Sequence, residues 1–150
     1  MADKTAVAFH FNAPSKLTYA CKLVRKLQRM DMPLVVLAAP DVVAELDLAL
    51  WSFGGEPQFL AHCRADAAAA VLQRSPTVLA SQVDEGLPHR RVLLNLSDHM
   101  PGDFAQFERV IEVVSADDDN DRQLARQRWR DYTAQGYTIE RRDLVMKTDD

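Results

Sequence analysis

The chain has 150 residues, 47% hydrophobic and 27% charged, enough for one domain whose core needs neither disulfides nor metal. That composition excludes a disordered, collagen-like or low-complexity chain. No apolar run approaches the roughly 20 residues of a membrane helix. The N-terminus lacks a signal-peptide cleavage pattern, and Cys21 and Cys63 are too few for a disulfide framework, so a cytoplasmic protein is expected. The net charge of -4 is uneven. Between 122 and 142, six arginines face only Asp131 and Glu140, so a basic island sits on an otherwise acidic chain. The overall acidity argues against broad nucleic-acid binding; the island suits either an acidic partner or a solvated helix face.

Residues 5–11, TAVAFHF, are β-branched, apolar and aromatic, which predicts a strand. Asn12-Ala13-Pro14 ends it, and Ser15 is a good N-cap for a helix whose apolar face is Leu17, Ala20, Cys21, Val24 and Leu27. LVVLAA (34–39) reads as a strand buried on both faces, and residues 41–51 as a second helix stopped by Gly54-Gly55. The middle is less regular: a short strand within 58–63, an alanine-rich helix or loop over 65–73, then strands at 77–81 and 91–96. A turn-rich loop, NLSDHMPGD, follows, then one helical turn at 104–107 and a buried strand at 110–114. SADDDND (115–121) supplies capping residues for a last helix, 122–135, which Gly136 stops, and 137–145 reads as an edge strand. Alternating strands and helices with short connections predict one α/β domain over 1–150. It should have three layers, a mostly parallel sheet and helices on both faces.

Such a fold invites a nucleotide, but the phosphate-binding apparatus is missing. None of the five glycines follows the first strand, and neither GxGxxG nor GxxxxGK[ST] occurs. Pro14, in the first strand-to-helix turn, has no N–H to offer a phosphate. No two of His10, His62, His89 and His99 stand at metal-ligand spacing, so no metal is expected. His10 reads as a packed strand residue and Cys21 as a core thiol. Ser97-Asp98-His99 has the residue types of a catalytic triad, but consecutive side chains do not face one another in triad geometry. No catalytic residue is assigned.

The last helix is the informative segment. At about 100° per residue, Leu124, Ala125, Trp129 and Tyr132 share a buried arc. Arg122, Arg126 and Arg130 fall on one adjoining stripe bordered by Trp129. Guanidinium forks beside a flat aromatic wall suit a ligand with carboxylates and an apolar group; a solvated face with Trp129 in the core fits the pattern equally well. Trp51, Phe53 and Phe59 cluster around Gly54-Gly55, either as core or as an exposed patch for a protein partner.

The chain resembles the chi subunit family of bacterial DNA polymerase III holoenzyme. The resemblance is carried by QLARQRWRDYTAQGY (123–137), AFHFN, LDLALW ending at Trp51, the segment 59–62, RVLLNL and DFAQF. It implies a nucleotide-binding-like α/β fold without a phosphate loop, no catalysis and no cofactor. It also implies an adaptor that holds the acidic, Pro-Phe-ending tail of single-stranded DNA-binding protein. A second partner, the psi subunit or another clamp-loader component, is implied too, with DNA reached only indirectly. Carried over by position, the tail-binding residues are Val114, Arg122, Arg126, Trp129 and Arg130, with Gly136 and Tyr137 bordering the pocket. The second surface includes Trp51 and Phe59. Trp129 stands where the family has Tyr, and Asp117–Asp121 sets four carboxylates beside a pocket meant for an acidic tail. The alternatives are a small α/β nucleotide-binding protein or enzyme, and a direct single-stranded DNA binder using the basic island.

Overall fold

The computed structural model describes residues 4–53, 60–84 and 86–146. Strand β1 (Ala6–Ala13) leads through Asn12, which takes the left-handed φ of 66°, to helix α1 (Lys16–Arg29). The Ser15 hydroxyl accepts the Thr18 N–H at 3.1 Å, the expected cap, worth about 1 kcal/mol. Next come β2 (Leu34–Leu37), α2 (Pro40–Ser52), β3 (Cys63–Arg64), α3 (Ala69–Arg74) and β4 (Thr77–Ala80). Then β5 (Val92–Asn95), a 3-10 turn at Phe104–Gln106, β6 (Arg109–Ser115), α4 (Asp119–Ala134) and β7 (Ile139–Asp143) complete the described fold. The expected glycine stop of α2 lies outside the described residues. Of the strand expected within 58–63, residues 58–59 lie outside the described residues and 60–62 have no regular structure; a two-residue strand stands at 63–64 instead, and the alanine-rich segment forms a six-residue helix at 69–74.

The strands form one seven-stranded sheet in the order β3-β4-β2-β5-β6-β1-β7, every pairing parallel. Alternation along each strand divides the core. Leu34 and Val36 pack with Val24 and Leu27 of α1 and Leu46 of α2. Val35 and Leu37 face the other way, into a cluster with Ala125 and Tyr132 of α4. Helices therefore cover both faces, and the apolar runs of the central strands follow from burial on both sides. Among the described residues, no helix is long and apolar enough to cross a membrane.

The crevice between the C-terminal ends of β1 and β6 is where an open parallel sheet commonly receives a ligand. Here the protein's own groups bridge it. Lys16 donates to Asp121 at 3.0 Å and to the Leu96 carbonyl at 3.1 Å. Asp121 also accepts the Ser115 N–H at 2.9 Å, and Asp118 caps α4 by accepting the Asp121 N–H. Half of the acidic run thus has structural work inside the fold, while Asp117 and Asp119 remain exposed.

His10 is buried, 2.7 Å from the Tyr19 hydroxyl through Nδ1. Burial first, then the charges of Arg142, Arg109 and Lys26, lower its pKa to about 4. The unfolded chain binds that proton near pH 6.5, so this contribution to stability is complete above pH 6.5 and is lost as pH falls towards 4. Urea unfolding of the wild type should weaken across that window by an amount on the order of 3 kcal/mol from this residue. His10→Gln should flatten that slope; an unchanged pH profile would show that His10 is not the group responsible.

Candidate functional site: a cation-rimmed aromatic recess

The sheet face under α4 carries a recess of about 480 Å³, within the ordinary range of ligand pockets. Its apolar floor is Phe9 and Phe11 of β1, Val114 of β6, and Ala125 and Trp129 of α4. Strand alternation puts Phe9 and Phe11 on one face, and the half-buried Trp129 ring packs on Phe9 with centroids 5.1 Å apart. Arg122, Arg126 and Arg130 rise along one side, as the helical spacing predicted. Arg141 of β7 lines the recess too, its guanidinium 5.6 Å from the Phe11 ring centroid and 6.0 Å from that of Trp129. Among the described residues, Arg126, Arg130 and Arg141 have no ion-pair partner, whereas Arg122 donates to the Ala116 carbonyl at 3.1 Å. The arrangement offers rings for an apolar group and guanidiniums for carboxylates.

The structure therefore brings together Val114, Arg122, Arg126, Trp129 and Arg130. It does not bring Gly136 or Tyr137 to the recess. Gly136, at φ 91°, ends α4 in a Schellman turn: Gly136 N–H donates to Thr133 O at 3.0 Å and Tyr137 N–H to Tyr132 O at 3.1 Å. The Tyr137 ring then packs on Phe104 and Tyr132. The glycine-aromatic pair is accounted for as a helix terminator. Phe9, Phe11 and Arg141 were not anticipated as site residues, although the AFHF alternation and the paired Arg141-Arg142 carried the signal.

Arg128 corrects the reading of the basic island. It falls inside the buried arc of α4, and its side chain is 2% exposed, paired with Glu112 of β6 at 2.9 Å. Glu112 also accepts from the Tyr132 hydroxyl at 2.8 Å and from Asn95 Nδ2 at 3.0 Å. Asn95 in turn donates to the His99 carbonyl and accepts from the Ser97 hydroxyl at 2.6 Å. Burial pushes the Glu112 carboxyl above its ordinary range, opposed by the Arg128 charge and the hydrogen bonds of Asn95 and Tyr132. This network fixes α4 on the sheet and so sets which residues of the helix face the recess.

Elsewhere, Trp51 is 51% exposed on α2, close to Leu48, and its ring lies against His62 with centroids 4.4 Å apart. Asp47 holds His62 Nε2 at 2.8 Å and Arg64 at 3.2 Å. Phe59 lies outside the described residues. Burial raises the Cys21 thiol to about 11, which leaves it unreactive. Among the described residues, no cluster of three or more His, Cys, Asp or Glu is placed to hold a metal.

Fold and recess define a parallel α/β domain whose strand-end crevice is closed by its own ion pair and whose open feature is a basic, aromatic recess. Residues 5–140 match the family model described as DNA polymerase III chi subunit, HolC. DNA polymerase III subunit chi of Pseudomonas aeruginosa (strain PAO1) is 35% identical over 127 residues, 84% of either chain. The chain belongs to the DNA polymerase III chi subunit family.

Proposed function

We propose that this protein is a non-catalytic adaptor of DNA replication in the cytoplasm, acting as one unit over residues 1–150. It links the clamp loader to single-stranded DNA-binding protein by holding that protein's acidic, Pro-Phe-ending tail. The observation that carries the reading is the recess itself, with aromatic floor and arginine rim in one place. In this reading the terminal Phe ring lies on Phe9, Phe11 and Trp129. Its α-carboxylate meets Arg126, with Arg141 of β7 beside Phe11 and Trp129, and Arg122 and Arg130 attract the upstream carboxylates. The absence of a phosphate-binding turn and the Lys16–Asp121 bridge support an adaptor over a nucleotide-dependent enzyme.

The second partner, psi or another clamp-loader component, docks around Trp51 and Phe59 in the same reading. The exposure of Trp51 and Leu48 supports it. A pull-down from cell extract with tagged protein tests both surfaces together. Arg126→Ala should lose single-stranded DNA-binding protein and keep the clamp-loader side. Trp51→Ala should do the reverse and leave tail-peptide affinity within about twofold, because distant sites act independently. Loss of both partners from either folded variant contradicts two separate surfaces.

A further inference from the structure

On the sheet face opposite the recess, helix α1 is basic, while its neighbour α2 carries Asp41, Glu45 and Asp47. Helix α1, KLTYACKLVRKLQR, contains five basic residues and no acidic one. Lys22, Lys26 and Arg29 recur at i, i+4 and i+7, all exposed, so they share one narrow stripe with steps of about 6 Å. Among the described residues, none of the three forms an ion pair. Arg25, beside the stripe, lies over the Phe53 ring at 5.0 Å. Two more arginines stand on the sheet face that α1 covers. Arg109 and Arg142 share the α1 face of β6 and β7, since Val110 faces the α4 side and Arg141 faces the recess. Lys26, Arg109 and Arg142 all act on the buried His10, and the buried Nε of Arg142 has no hydrogen-bond partner. The nearby acids in sequence are Asp31 just beyond the helix, Glu108 beside Arg109, and Glu140 and Asp143 flanking Arg141-Arg142; Glu108 pairs with Arg91 and Asp143 accepts from Asn12.

We propose that the outer face of α1, extended by Arg142 and Arg109, docks the phosphate backbone of single-stranded nucleic acid. Clustered cations without acidic partners repel one another, and a polyanion is the complement that removes the repulsion. A flexible single strand can follow a convex helical ridge, whereas a stiff duplex touches such a ridge at one or two phosphates. Tyr19, the aromatic side chain of α1, is half-buried against His10. Recognition is therefore electrostatic, without base stacking and without sequence preference. The chain's net negative charge does not oppose it at close range, since charges beyond about 10 Å are screened at 0.1 M salt. The adaptor would then touch the DNA itself, on a face separate from the tail recess.

Anisotropy of a labelled 20-nucleotide oligo-dT, titrated with the full chain from 20 to 200 mM salt, tests this. Saturable binding at low salt should weaken with a log–log salt slope on the order of -3 for four phosphate contacts. Lys22→Ala/Lys26→Ala/Arg29→Ala keeps good helix formers and should weaken binding at least tenfold and flatten the slope. The same variant should hold an acidic Pro-Phe-ending peptide within twofold of wild type, and Arg126→Ala should show the opposite pattern. Thus failure of this surface and failure of the recess are read separately. No oligonucleotide binding at 20 mM salt, equal binding by the triple variant, or equal or tighter binding of duplex DNA or anionic vesicles would overturn the proposal.

Discussion

Arg128→Ala should destabilise the protein by about 3–5 kcal/mol, because it leaves the Glu112 carboxylate buried without its cation. Tyr132 and Asn95 would still donate to it, but two neutral hydrogen bonds do not replace a guanidinium in a dry interior. Urea unfolding followed by far-ultraviolet circular dichroism measures the loss. The double variant Arg128→Met/Glu112→Gln should recover at least half of it. Gln keeps an acceptor for Tyr132 and Asn95, and Met refills most of the volume that the arginine vacated. A loss below about 1 kcal/mol in the single variant would mean that Glu112 carries its proton in the native protein.

Arg126→Ala should weaken binding of the tail peptide at least tenfold, since a charge-assisted fork on a carboxylate is worth about 1.5–3 kcal/mol. Arg122→Ala should cost less, and mostly at low salt. Its guanidinium is already committed in part to the Ala116 carbonyl, and its reach to the tail is solvent-screened. Arg141→Ala should cost more than Arg122→Ala, because Arg141 lines the recess against the Phe11 and Trp129 rings. Replacing the peptide's α-carboxylate by an amide separates the roles. The amide should bind the wild type about tenfold more weakly and should be almost insensitive to Arg126→Ala. Equal, small losses at every arginine would leave only a diffuse basic face.

Much of this was legible in the sequence because it rests on local rules. The Ser15 cap, the doubly buried LVVL strand, the helix over the QLAR segment and its Gly136 stop each follow from periodicity or turn chemistry. So does the stripe of Arg122, Arg126 and Arg130, since helical spacing alone brings those three to one side. What was not legible depends on pairing between distant segments. Phe9 and Phe11 become floor only because β1 lies beneath α4, and Arg141 becomes a wall only because β7 pairs with β1. Arg128 was hidden by its type. A charged residue on a helix reads as surface, and only a carboxylate on a strand 16 residues earlier, buried at the matching height, reverses that. Tyr137 stands near the arginines in sequence, but the Schellman turn carries its ring to Phe104.

The tryptophan content allows the central claim to be tested at its location. The chain has two tryptophans, so in Trp51→Phe the indole of Trp129 reports alone on the recess floor. Titrating that variant with an acidic peptide ending in Pro-Phe should give a saturable change in Trp129 emission. Its midpoint should match the peptide's own anisotropy, and Arg126→Ala should shift it at least tenfold. A peptide that binds by anisotropy while Trp129 emission stays flat, or one that does not bind at all, contradicts the recess as the site of the tail.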